Sequence, residues 1–163
     1  MKPTTAIAGI APGAQVRERT LPVPAALAGL LPGGGLARGR VTSCTAPAAA
    51  ALALVAGVDA VAAGSWLAAV SMPWLGVDAA AGLGLACERL VRVDVAEAGR
   101  WVDVVAAALD GFEIVVTVPP AQLTEAVWRK VQSRMRSKDA VLVTVGDHPV
   151  AAGDVVLHTA RPE

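Results

Sequence analysis

A strand, turn and apolar helix run in that order from Gly35 to Leu54, the frame in which a phosphate-binding loop would carry G-x-x-x-x-G-K-[ST]. Such a loop needs glycines so that backbone N–H groups reach the phosphates, a lysine for charge and a hydroxyl for magnesium. In register, Ser43 and Ala48 stand at the glycine positions, Ala49 at the lysine position and Ala50 at the hydroxyl position. No cation and no magnesium ligand are left. The frame predicts a nucleotide-type fold that has given up the nucleotide, with no cofactor and no metal.

Other chemistry-bearing residues are few. Cys44 and Cys87 share no metal-ligand spacing with each other or with His148 and His158, and read as buried thiols in a reducing cytoplasm. The histidines fall on a turn and a terminal strand and read as structural. Local spacing suggests no Ser–His–Asp or Cys–His arrangement.

The segment Glu125–Lys138 concentrates positive charge. Arg129, Lys130, Arg134, Arg136 and Lys138 are five of the fourteen basic residues, and Val127, Val131 and Met135 form an opposing apolar stripe. A phosphate-tracking (DNA) or acidic-partner surface is one reading, and a solvated face whose late cations complement the helix dipole is the other. Among the four tryptophans, Trp66, Trp101 and Trp128 read as packing residues. Trp74, with Leu75 beside it, follows Pro73 at the edge of the sheet where ligands bind. It is expected to fill the vacated cleft or to anchor a partner.

The elements that must hold these residues alternate. Predicted strands lie at 40–44, 66–72, 89–93, 112–118, 140–145 and 154–159. Predicted helices lie at 47–56, 76–86, 97–109 and 121–136, after a short one within 21–31 whose first turn suits Pro24, with Pro32-Gly33-Gly34-Gly35 and Pro119-Pro120 as punctuation. Alternation with short connections predicts an α/β fold, a mainly parallel sheet with helices on both faces, closed by a C-terminal hairpin. Residues 1–20 read as a flexible N-terminal arm and 21–163 as one domain.

Composition narrows the classes. The net charge is +0, so no global field draws the chain to nucleic acid or anionic lipid. Hydrophobic residues make up 55%, yet no apolar run escapes Gly, Pro, Asp or Arg for eighteen residues, which argues against a membrane span. The N-terminus lacks a continuous apolar stretch of the kind a signal peptide needs.

The run Gly34-Gly35-Leu36-Ala37-Arg38-Gly39-Arg40-Val41 resembles the Gly-Gly-Leu-x-x-Gly-Arg entry of RecA-type recombinases into their phosphate-loop strand, and the resemblance continues in order to about residue 145. It implies a RecA-like fold with Phe112–Val118 as the Walker B strand. Catalysis in that family also uses a glutamate beyond the second strand and an aspartate ending the Walker B strand. Here those positions read Met72-Pro73-Trp74 and Thr117-Val118-Pro119, without a carboxylate, so the chain is not expected to be an enzyme.

Within that family the sequence is similar to the actinobacterial ImuA-prime group. The similarity rests on Leu30-Leu-Pro-Gly-Gly-Gly-Leu36, Ala63-Gly-Ser-Trp-Leu67, Trp101 to Phe112 and Gly153-Asp-Val-Val-Leu-His158. This implies a role in damage-induced translesion synthesis through two partners, a catalytically inactive Y-family polymerase homologue and an error-prone C-family polymerase. It also implies a further segment beyond the equivalent of 155–158. SulA inhibitors of cell division, which cap FtsZ, are RecA-like without Walker residues and give the alternative. An ATPase with an aberrant loop is a third expectation.

Overall fold

The clearest apolar runs become the middle of a sheet. In the computed structural model, which describes residues 19–160, β3 (Val41–Thr45), β4 (Leu67–Val70), β6 (Ile114–Thr117) and β7 (Val141–Val145) are buried along almost their whole length. Strands covered on both faces need no polar alternation, which is why β4, β6 and β7 read as nearly continuous apolar stretches, while β3 buries Thr42 and Ser43 as well. With β5 (Leu90–Val93) and β8 (Val155–His158) at the edges, they form a six-stranded sheet in the order β5-β4-β6-β7-β3-β8. Every pairing in it is parallel.

Parallel neighbours require crossovers, and helices supply most of them. α2 (Ala49–Ala62) and α3 (Val77–Gly82) cover one face, over Leu67, Ile114, Val116 and Val143. α4 (Trp101–Gly111) and α5 (Glu125–Lys138) cover the other, where Trp101, Val105, Trp128, Val131 and Met135 meet Val70, Val115 and Leu142. The chain therefore leaves β4 and β6 toward opposite faces, and does so again from β3 and β7. These are the topological switch points beside which ligands bind in open α/β sheets.

Two expectations need correction. The short helix expected within 21–31 is a single turn, α1 (Ala25–Ala28), and Pro24 stands extended just before it rather than inside its first turn. The residues ahead form β1 (Thr20–Pro22), antiparallel to β2 (Gly35–Ala37). Gly35 permits that pairing, since a Cβ there would lie 2.4 Å from the Leu21 carbonyl oxygen. The closing hairpin is also replaced. β7 and β8 do not pair with each other but flank β3, each parallel to it. The connection at 146–154 is too long for a tight hairpin turn and runs back across the sheet, burying Ala151 among the α4 and α5 side chains. Of the arm expected at 1–20, residues 1–18 lie outside the described residues, and Thr20 belongs to β1.

Candidate functional site

The carboxyl edge of the sheet is where RecA-like chemistry would sit. The link from β3 to α2 is only Ala46-Pro47-Ala48. Ser43, at the first glycine position of the phosphate-loop frame, lies inside β3, where its hydroxyl is 2.7 Å from the Thr144 hydroxyl on β7. Its backbone belongs to ladders on both sides. Ala46 takes the turn with a φ of 76°, and Ala48, ahead of α2, makes no side-chain cap bond. Ala49 is buried against the sheet rather than presented at the helix tip. Besides lacking the right side chains, the connection is too short to wrap a phosphate.

The end of β6 is plugged. Thr117, the last strand residue at the Walker B position, is fully buried and accepts a 2.9 Å hydrogen bond from the Trp101 indole Nε1–H. Trp101 itself is 2% exposed. An aromatic ring from the start of α4 therefore occupies the space beside this switch point. It also forms part of the wall of an open, mostly apolar groove of about 410 Å³ between the amino ends of α4 and α5.

After β4, Ser71 adopts a φ of 59° and Met72 is buried. Leu75 is 5% exposed and packs in the core over α2, which removes it from the candidate contact residues. Trp74 is 59% exposed, so it does not fill the cleft; Trp101 does. Exposed Val77 follows Trp74 closely on the same surface loop and helix. Trp66, expected to be structural, is partly exposed, with the Arg89 guanidinium over its ring at 5.7 Å and its backbone N–H donated to Glu113 Oε2 at 2.9 Å. Trp128 is buried as expected.

Both histidines have structural roles. His148 Nδ1 accepts from the Val150 and Ala151 N–H groups at 3.1 Å, which leaves Nε2 to donate to the Pro120 carbonyl at 3.0 Å. The return segment is thereby tied to the loop after β6. His158 Nδ1 lies 2.9 Å from the Thr45 hydroxyl, across the β3–β8 pairing. Among the described residues no cluster of three or more metal-capable side chains occurs, and no helix is long and apolar enough to cross a membrane.

The basic residues of α5 are all exposed; Arg129 and Lys130 lie in its first two turns, and Arg134, Arg136 and Lys138 lie farther from this edge. α5 runs antiparallel to the strands, so its carboxyl end sits at the sheet's opposite edge. Arg134 grips Asp110 of α4 through both carboxylate oxygens, and Lys138 Nζ is 3.8 Å from Oδ1. The Arg134 hydrogen bonds hold the Asp110 carboxyl below its ordinary value and raise the guanidinium. Sequence reasoning missed Asp110 as the partner because α4 and α5 meet only in the folded chain. It missed Asp154 for the same reason: its carboxylate receives the Val41 N–H at 2.9 Å and pairs with Arg40 at 3.2 Å.

Cys44 faces the core, and burial pushes its thiol up to about 12. The same thiol ionises near about 8.5 in an unfolded chain. Its contribution to stability is thus whole below that pH and declines as pH rises toward the folded value, by up to about 1.4 kcal/mol per unit. Alkaline melts should show this slope flattened in Cys44→Ala. In thiol labelling of the native protein, partly exposed Cys87 should react while Cys44 waits for unfolding.

Comparison with solved structures places this architecture among RecA-like folds. The RadB recombinase superposes with a TM-score of 0.56 over 83% of this chain and 68% of that one, at 16% identity. SulA from Pseudomonas aeruginosa aligns at 22% identity over 51% of this chain and 72% of its own, with a TM-score of 0.43. Comparison with curated protein sequences gave no match. A family model described as the MT3502 N-terminal domain matches residues 29–150, and the chain belongs to that family.

Proposed function

We propose that this chain is a non-catalytic RecA-like adaptor that works by protein–protein contact within an inducible translesion-synthesis complex. Its partners there are a catalytically inactive Y-family polymerase homologue and an error-prone C-family polymerase. The observation that carries the non-catalytic half is the three-residue Ala46-Pro47-Ala48 link, with Ser43 held in the ladder and Ala49 buried where a phosphate cradle would open. The Trp101–Thr117 contact at the end of β6 supports it independently. The choice of complex comes from the motifs shared with the ImuA-prime group.

Two measurements test the reading. Ligand at about a hundred times its dissociation constant stabilises a folded protein by about 2.7 kcal/mol. Millimolar ATP with magnesium should instead leave the melting temperature unchanged. Ala49→Lys should not restore binding; it should lower stability by burying an ammonium group. In a pull-down, the purified chain should retain the inactive polymerase homologue. Retention of FtsZ in its place would move the reading to division control, and a nucleotide-dependent rise in melting temperature would end the non-catalytic claim.

A further inference from the structure

The five cations of α5 do not form one patch. Arg134 and Lys138 point toward α4, where Asp110 takes both. The buried stripe of Trp128, Val131 and Met135 fixes how the helix is rotated. With about 3.6 residues per turn, Arg129 and Arg136 then fall on the other flank of the exposed face, two turns and about 10 Å apart. Lys130 and two small residues, Ser133 and Ser137, lie toward the crest between the flanks. Among the described residues none of Arg129, Lys130 and Arg136 has an ion pair or a side-chain hydrogen bond. At the carboxyl end of the helix, Arg38 adds another positive charge, held by a 3.3 Å bond to the Asp139 carbonyl.

We infer that this ridge of Arg129, Lys130 and Arg136 is a docking surface for an acidic segment of a protein partner. The inference deepens the adaptor reading and rests on it for the partner's place in a complex. Charge complementarity favours an acidic protein segment over nucleic acid. The chain as a whole has a net charge of +0 and a pI near 6.7, so it has no basic field to concentrate phosphates. The aromatic residue of this helix, Trp128, is buried and offers no platform for stacking bases. Two arginines two turns apart suit carboxylates at the same spacing on a facing helix, and the serines between them allow close approach.

The test uses the full chain, isotope-labelled, titrated with a synthetic helical peptide carrying glutamates two turns apart and, separately, with a short DNA duplex. The peptide should shift the amides of Arg129, Lys130, Ser133 and Arg136. Exposed pairs are each worth about 0.2–1 kcal/mol, so replacing Arg129, Lys130 and Arg136 together with serine should weaken peptide binding about tenfold. Arg134→Gln with Lys138→Gln should leave it nearly unchanged, and the melting temperature of the serine variant should stay close to wild type. A duplex that binds more tightly than the peptide, no binding of the peptide, or wild-type affinity in the serine variant would each overturn the inference. Peptide binding at the ridge without retention of the polymerase homologue would sink the adaptor reading alone.

Discussion

Trp101→Ala should lower stability by about 3–5 kcal/mol, the range for emptying a buried aromatic site. The ring is 2% exposed, packs with Val70, Val105 and Val115 and gives its indole proton to Thr117. The cavity would open into the adjoining groove, so water could reach the Thr117 hydroxyl. That makes Trp101→Phe the sharper probe. Phenylalanine keeps most of the apolar bulk and strands the hydroxyl in a drier pocket, at a cost of about 1–3 kcal/mol for an unmet buried polar group. Thr117→Val should do the reciprocal harm to the indole. The Phe/Val double variant should then be more stable than the sum of the two single losses predicts, which urea melts can read as a coupling energy. Additive losses would mean that the bond contributes nothing and only the ring's volume matters. None of these variants should gain ATP binding, because the link after β3 is unchanged.

Gly153→Ala should be nearly as damaging for a different reason. A Cβ at this position would lie 2.7 Å from both the backbone nitrogen and the hydroxyl of Ser43, and 2.8 Å from the Val155 carbonyl oxygen. Two of those three atoms are backbone, so the neighbours cannot rotate away. The return segment would have to lift off β3, loosening the paired bonds between Asp154 and Val41 at 2.8 and 2.9 Å. Overpacking alone costs about 1–3 kcal/mol, and the lost bonds place this variant at the top of that range. Ser43→Ala should not rescue it, since the backbone nitrogen remains in the way. A Gly153→Ala protein that melts like wild type would show that the segment is not seated on the strand.

The fold was largely legible because its signals are local. Phe112–Val118 is β-branched and ends at two prolines; Trp101, Val104, Val105 and Ala108 mark one side of α4; Gly and Pro punctuate the junctions. The partnership of the last two strands was not legible. Val141–Val145 and Val155–His158 both read as strands with a turn between them, and no residue in either states that β3 lies between them. Their placement depends on Gly153 and Asp154, which meet Ser43 and Val41 far away in sequence, and on His148, which reaches back to Pro120. The candidate site divided along the same line. Loss of the phosphate-binding side chains could be read directly from Ala48, Ala49 and Ala50, whereas the plug at Thr117 could not, because Trp101 looks like any other core aromatic in a helix. Trp74 and Leu75 could not be told apart for a related reason: adjacent residues in a loop face different ways, and only the packed chain shows that the leucine turns inward while the tryptophan stays exposed.

The position of β3 shapes how the molecule can be made. Ser43 meets Thr144 across 101 residues, and Thr45 meets His158 across 113. A nascent chain leaving the ribosome therefore holds this strand through about a hundred further residues before either ladder neighbour exists. Closing such long loops comes before any reward from the contacts, which slows folding in chains dominated by distant pairings. Through that interval the unpaired strand Val41–Thr45 is a natural client for a chaperone; only afterwards does β7 enter the middle of the sheet beside it, with β8 closing the rim.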